Sequence, residues 1–221
     1  DGVSSVGGVE AKMDEWGIDV LVTGSQKAMM VPAGLALVAF SERAKEVAKK
    51  NTRPRYFFDY NRYLEQIGQG GTPFTPALAL LYALDQALNL MHEEGLERVF
   101  ERHNLVRDMT RAAFKAWDVP LMAADEVASP TVTAIVPDDF DPEQLIATVK
   151  KDFNIALAGG LGKMIGKMIR VGHMGYCGPS DALQYISAIE IALEKIGKKI
   201  QLGEGIKAAQ EVFINFQRVK A

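Results

Sequence analysis

At 221 residues, with 48% hydrophobic and 24% charged side chains, the chain has the balance of an ordinary globular protein and enough length for a substantial core. A formal net charge of -3 gives no pull toward nucleic acid or anionic lipid, and a single cysteine excludes an intrachain disulfide framework and suits a reducing compartment. No apolar run is long enough to span a membrane and no signal-peptide pattern is visible, so the expected location is cytoplasmic.

The chain opens on Asp1-Gly2-Val3-Ser4-Ser5-Val6-Gly7-Gly8, with neither methionine nor a leader, as though entered in mid-domain. N-terminal targeting therefore cannot be read from it. Met13, Trp16 and Gly17 suggest a small helix closed by glycine. Ile18-Asp19-Val20-Leu21-Val22 is a short β-branched run, and Leu35-Ala36-Leu37-Val38-Ala39-Phe40 is a second. Both are expected to be buried strands. Ser41 is a natural N-cap for a helix running to Lys50. Residues 51–75 read as irregular, with Arg53-Pro54-Arg55, several aromatics, and Gly68, Gly70 and Gly71. A long aromatic-rich loop of this kind is usually functional or interfacial.

Thr75-Pro76 is expected to open a long helix, with threonine as N-cap and proline at the first position, closed by Gly95. Leu80, Leu84, Leu88 and Met91 share one face and are expected to be core. A second helix carries a wide apolar stripe of Leu96, Val99, Phe100, Val106, Met109, Ala113, Phe114 and Trp117. From Pro120 the pattern changes, which places a domain division there, into 1–119 and 120–221. Residues 131–136 read as a strand, and Asp141 caps a helix to about Lys151. Residues 155–158 read as a short strand before the loop Gly159-Gly160-Leu161-Gly162, and residues 167–173 as another strand. Pro179-Ser180-Asp181 begins a helix, and a last amphipathic helix carries Ile206, Val212 and Phe213. Strand-helix-strand-strand-helix predicts a small α+β domain with an antiparallel sheet.

The chemistry centres on Val22-Thr23-Gly24-Ser25-Gln26-Lys27-Ala28-Met29-Met30, which holds a lysine on a Gly/Ser turn between the first two strands. Such a lysine has a strong counter-charge or a covalent task, because desolvation frees the amine lone pair. The same spacing also describes a surface lysine at a strand end. Asp1 lies 26 positions earlier, in a Ser/Gly loop, and Arg170 sits in the otherwise apolar Met168-Ile169-Arg170-Val171. A buried arginine needs an anion, and its planar fork suits a carboxylate. One lysine, one aspartate and one arginine form the minimum set for pyridoxal phosphate chemistry on an amino acid.

Asp1-Gly2-Val3-Ser4-Ser5-Val6-Gly7-Gly8, Thr23-Gly24-Ser25-Gln26-Lys27-Ala28, Gly70-Gly71-Thr72-Pro73-Phe74-Thr75-Pro76 and Ile169-Arg170-Val171-Gly172-His173-Met174-Gly175 resemble the class V aminotransferases. The nearest branch looks like the serine-pyruvate and alanine-glyoxylate aminotransferases. The resemblance implies an α/β, type I PLP-dependent transferase fold: part of the large mixed-sheet domain over residues 1–119, then a small C-terminal α+β domain over residues 120–221. It implies pyridoxal 5'-phosphate as cofactor, a small amino acid (alanine or serine) and a 2-oxo acid (glyoxylate or pyruvate) as substrates, and a homodimer. It implies Lys27 as Schiff-base lysine and general base, Asp1 as partner of the pyridinium nitrogen, and Arg170 as clamp for the substrate carboxylate. Ser25 and Gln26 would lie beside the cofactor phosphate, and Thr72 and Thr75 would reach the phosphate of the neighbouring subunit.

The family carries roughly a further 150 residues before the position of Asp1, about one domain's length. The chain is thus expected to be the C-terminal part of such an enzyme. Other class V activities remain alternatives, namely a 2-aminoethylphosphonate or ureidoglycine transaminase or a lyase, as does a catalytically dead interaction fragment. Cys177 hints at a cysteine desulfurase, but that branch has histidine where Gln26 precedes the lysine. His92, His103 and His173 read as structural and show no metal-ligand spacing. The glycines at 159–162 lie outside a strand-helix phosphate context and are candidates for the substrate mouth.

Overall fold

The computed structural model describes residues 1–220, which divide into two compact units. The first holds residues 1–6 and 10–93, and the second holds Gly7–Val9 and the chain from Glu94 onward.

In the first unit the two apolar runs form an antiparallel pair, β1 (Val20–Gly24) and β2 (Ala36–Phe40), in register from Val20 opposite Phe40 to Gly24 opposite Ala36. The expectation of two buried strands is corrected. Burial grows along β1 toward Thr23 and Gly24, whereas β2 stays mostly exposed. A two-stranded ribbon has two faces and two edges to cover, and no third strand joins it among the described residues. Residues 13–17 form a turn rather than a small helix: Trp16 N–H donates to the Lys12 carbonyl at 2.9 Å and Gly17 N–H to that of Asp14 at 3.2 Å. So short a stretch cannot offset the cost of helix nucleation.

α1 (Glu42–Lys50) begins where expected. The Ser41 hydroxyl accepts from Ala44 N–H at 3.1 Å and donates to Asp19 Oδ1 at 2.6 Å, so the cap also fastens the helix to the chain entering β1. Arg43 joins the clamp, and its hydrogen bond, followed by that of Ser41, lowers the Asp19 carboxyl to about 2.

The stretch expected to be irregular contains a 3-10 turn at Tyr56–Phe58 and a nine-residue helix, α2 (Tyr60–Gly68), capped by Asp59 through Asn61 N–H at 3.2 Å. Phe74 returns against this element, with ring centroids 4.9 Å from Phe57 and 5.4 Å from Tyr56. α3 (Leu78–Glu94) starts two residues later than Thr75-Pro76 suggested, and its first helical bond runs from Leu81 N–H to the Ala77 carbonyl at 3.0 Å. Of the stripe expected to be core, only Met91 is buried, together with Ala87, and Leu88 is exposed. No other helix or strand of the first unit packs extensively along this helix.

The second unit has the predicted strand-helix-strand-strand-helix order behind a long helix, α4 (Leu96–Ala116). β3 (Val132–Ile135), β4 (Ala158–Gly159) and β5 (Ile169–Gly172) form an antiparallel sheet in the order β3-β5-β4. The strand expected at 155–158 is thus shifted and only two residues long. α5 (Pro142–Phe153) is capped by Asp141, whose Oδ1 accepts from Glu143 N–H at 2.9 Å. α6 (Pro179–Lys195) and α7 (Glu204–Lys220) complete the unit. Val106, Met109, Phe114, Trp117, Ile135, Leu145, Ile169, Ile189 and Leu193 form one core. The change of pattern near Pro120 falls inside this unit, because α4 packs on α6 and α7.

Buried Glu190 joins three of these helices: its carboxyl accepts from Trp117 Nε1 at 2.9 Å, Gly203 N–H at 3.0 Å and Gly205 N–H at 2.8 Å. Gly205 lies so close to the indole that a Cβ there would sit 2.2 Å from a ring atom of Trp117.

Candidate active site

β1 delivers the chain into a turn over residues 25–29 that carries Lys27. Ser25 fixes this turn with four bonds. Its hydroxyl donates to the Pro32 carbonyl at 2.7 Å and accepts from Leu35 N–H at 3.2 Å; its N–H donates to the Leu35 carbonyl at 3.1 Å and its carbonyl accepts from Val31 N–H at 3.0 Å. The hydroxyl proton is therefore committed. Ser25 thus serves as the anchor of the turn that carries Lys27. The Lys27 carbonyl accepts from Met30 N–H at 3.0 Å, and Met30 is held at φ +62°, a region rare for residues other than glycine. The Lys27 side chain is partly exposed and makes no hydrogen bond or ion pair with any described residue.

The segment that carries Asp1 lies against β1. Gly2 N–H donates to the Val22 carbonyl at 2.8 Å, and a Cβ on Gly2 would lie 3.0 Å from Leu21 Cδ1, so only glycine lets this segment lie so close to β1. Asp1 Oδ1 accepts from Val3 N–H at 2.8 Å, and Oδ2 makes no hydrogen bond with the described residues. Gln26 is exposed on the turn. Thr23, on β1, was passed over in the sequence because a threonine in a β-branched run looks like ordinary strand material. It is buried, and its Oγ1 has no hydrogen-bond partner.

Thr72 and Thr75 belong to the same unit, on the connection between α2 and α3, and both are exposed. Thr72 Oγ1 donates to the Phe74 carbonyl at 2.7 Å, and Thr72 lines a shallow depression of about 260 Å³ with Arg62, Glu65, Gln66 and Pro73. Neither threonine bonds to the Lys27 turn.

Arg170 lies in the second unit, on central strand β5. It is half-buried, its Nε donates to the Gly159 carbonyl at 2.9 Å, and no carboxylate of the described residues forms an ion pair with it. The loop that follows is held by residues the sequence did not single out for that task. Arg102 is bidentate to Glu94 at 2.6 and 2.8 Å and donates through Nη1 to the carbonyls of Gly175 at 2.7 Å and Cys177 at 2.9 Å. Buried His103 has Nδ1 on the Val99 carbonyl at 2.7 Å and Nε2 accepting from Gly175 N–H at 3.0 Å, so its tautomer is fixed and burial holds its pKa below the ordinary histidine value. His173, expected to be a satisfied structural histidine, is only half satisfied. Its Nε2 meets Thr133 Oγ1 at 2.9 Å, its Nδ1 has no partner, and burial pushes its pKa down to about 4. Burial, then Asp181, raises the Cys177 thiol to about 11, which leaves it protonated at neutral pH and unsuited to nucleophilic work. His92 is exposed.

The family model described as aminotransferase class-V matches residues 1–191. The chain is 43% identical over 213 residues to a protein named soluble hydrogenase, small subunit, of Synechococcus sp. (strain PCC 6716), covering 96% of this chain and 56% of the relative. It is 41% identical to the L-aspartate--glyoxylate aminotransferase of Paracoccus denitrificans, covering 96% and 54%. It is 39% identical to the serine--glyoxylate aminotransferase of Arabidopsis thaliana, covering 95% and 53%. Among solved structures, pyridoxamine-pyruvate aminotransferase from Mesorhizobium loti superposes with a TM-score of 0.91 at 33% identity, covering 98% of this chain and 57% of that one. The chain thus spans about half the length of the curated relatives it matches. With the family model matching residues 1–191 and relatives about 40% identical over nearly all of it, the chain belongs to the class V aminotransferase family.

Proposed function

We propose that the chain forms part of a pyridoxal phosphate-dependent aminotransferase that moves an amino group from a small amino acid, alanine or serine, to a 2-oxo acid, glyoxylate or pyruvate. The observation that carries this reading is Lys27: an amine with no protein partner, on a turn locked by Ser25 and a left-handed Met30. The reading is supported by relatives named as glyoxylate aminotransferases.

The donor set fits pyridoxal phosphate: an unpaired amine on Lys27, a carboxylate oxygen left open on Asp1, and an orphaned buried hydroxyl on Thr23. When bound, the cofactor supplies an electron sink for charge developing at the α-carbon of the amino acid. Lys27 would hold it covalently and carry the proton at the α-carbon. Asp1 would keep the pyridine nitrogen protonated, and Gln26 would face the phosphate. Thr72 and Thr75 would reach the phosphate of a second subunit in a homodimer. Arg170 would bind the substrate carboxylate, with the rest of its fork free for it. We place the enzyme in the cytoplasm.

The purified holoenzyme, assayed with alanine, serine and aspartate against glyoxylate and pyruvate, should transfer the amino group to at least one acceptor. Arg170→Lys should raise the amino acid KM by about tenfold or more while the bound-cofactor absorbance stays intact, since an ammonium does not reproduce the fork. No transfer with any pair, from protein that holds the cofactor, would contradict the reading.

A further inference from the structure

The face of the small sheet that carries Arg170 is cleared on both sides of it. The register sets Ala134 of β3 directly opposite Arg170 on one side and Ala158 of β4 directly opposite on the other. Directly opposed residues share a face, with Cβ atoms about 4.5–5.5 Å apart. The adjacent row, Ile135, Ile169 and Gly159, faces the other way, and its two isoleucines are fully buried in the core. Arg170 thus stands between two methyl groups, the smallest side chains a chiral residue can offer.

Its charge is also unusual within the unit. The other shielded arginines are each answered by a carboxylate: Arg102 by Glu94, Arg107 by Asp108, and Arg111 by Asp125. Arg170 has only the Gly159 carbonyl, which takes Nε at 2.9 Å and so orients the guanidinium plane. The edge formed by Nη1 and Nη2 is left for a planar anion, which it can meet with two parallel bonds. A guanidinium so oriented and so unflanked is accessible only while its cross-strand neighbours stay small.

We propose that Ala134 and Ala158 are specificity-determining residues for this site. Their small side chains keep the Nη edge of Arg170 open to the carboxylate of a small 2-amino or 2-oxo acid, and a branched side chain at either position closes it. The inference rests on the reading of Arg170 as the carboxylate clamp. It adds that the clamp is selective because of what flanks it, and that selectivity resides in the sheet register rather than in the arginine.

The test compares four variants of the holoenzyme. Ala134→Leu and Ala158→Leu should each raise the amino acid KM by about tenfold or more, the loss of a charge-assisted hydrogen bond. The bound-cofactor absorbance and the thermal midpoint should stay where they are. Val132→Leu, on the same face but two residues along β3 from Ala134, opposite Gly172, should leave KM unchanged. Arg170→Lys separates the two readings. If it raises KM while both alanine variants leave KM unchanged, the flanking role is wrong and the clamp stands. If Arg170→Lys leaves KM unchanged, the clamp itself is wrong. A rise of equal size in Val132→Leu would overturn the inference, because crowding anywhere on the sheet would then suffice. Should Ala134→Leu fail to fold, Ala158→Leu decides alone, since Ala158 is exposed on a two-residue strand.

Discussion

Thr23 shows how one side chain can be legible as structure and illegible as chemistry. Its β-branched form suits β1, but nothing in the sequence says that its hydroxyl lacks a partner once buried. An orphaned buried hydroxyl costs about 1–3 kcal/mol. Thr23→Val, nearly the same in shape, should therefore stabilise the cofactor-free chain by about 1 kcal/mol, read as a higher denaturant midpoint with an unchanged slope. A lower midpoint would mean that the hydroxyl has a partner. His173 behaves alike: its place on an apolar strand could be read, its missing Nδ1 partner could not. Its pKa falls from 6.5 in the unfolded chain to about 4 in the fold, so the folded state binds fewer protons between those values. Its neutral form is fully favoured above about pH 6.5, and stability should fall as pH drops from there through about 4, by about 3 kcal/mol at most. Buried His103 shifts in the same direction. His173→Gln should flatten the acid limb of a stability-pH curve, and an unchanged limb would remove His173 as its cause. Lys27 and Arg170 were legible for a plainer reason, as charges set in or beside apolar runs. What the sequence could not give was that each lacks an ionic partner.

Elements were legible where capping and periodicity agreed. Ser41 and Asp141 start α1 and α5 where their side chains predict, and the stripe on α4 is core from Val99 to Trp117. α2 was hidden although Tyr60, Tyr63, Leu64 and Ile67 recur at helical spacing, because Pro54, Gly68, Gly70 and Gly71 frame it with loop signals. The start of α3 was misplaced because Thr75-Pro76 has the right residues for a cap, yet the backbone does not turn helical until past Ala77. The junction of α4, α6 and α7 was not legible, since three donors converge on Glu190 from residues far apart in the chain. Glu190→Ala leaves all three without their acceptor and should destabilise the unit by about 3 kcal/mol. Gly205→Ala should also destabilise it, as the new methyl meets the Trp117 ring. Chemical denaturation of both variants checks this, and wild-type midpoints would show that the junction contributes little.

At the scale of the whole molecule, the sequence motifs carried the family, and the packing divides the chain into a well-filled second unit and a first unit rich in exposed apolar side chains. Val20, Val38, Tyr82 and Leu88 are all exposed in the first unit. Surface of that kind drives association, so residues 1–221 made alone should self-associate in sedimentation velocity, with the slowest amide exchange in α4, α6 and β5. A monodisperse monomer would argue against this. The proposed activity rests in the end on one amine, that of Lys27. Borohydride reduction of the holoenzyme, followed by peptide mass spectrometry, should find the cofactor's mass added to the peptide that contains Lys27. Addition at a different lysine, with Lys27 unmodified, would contradict the account.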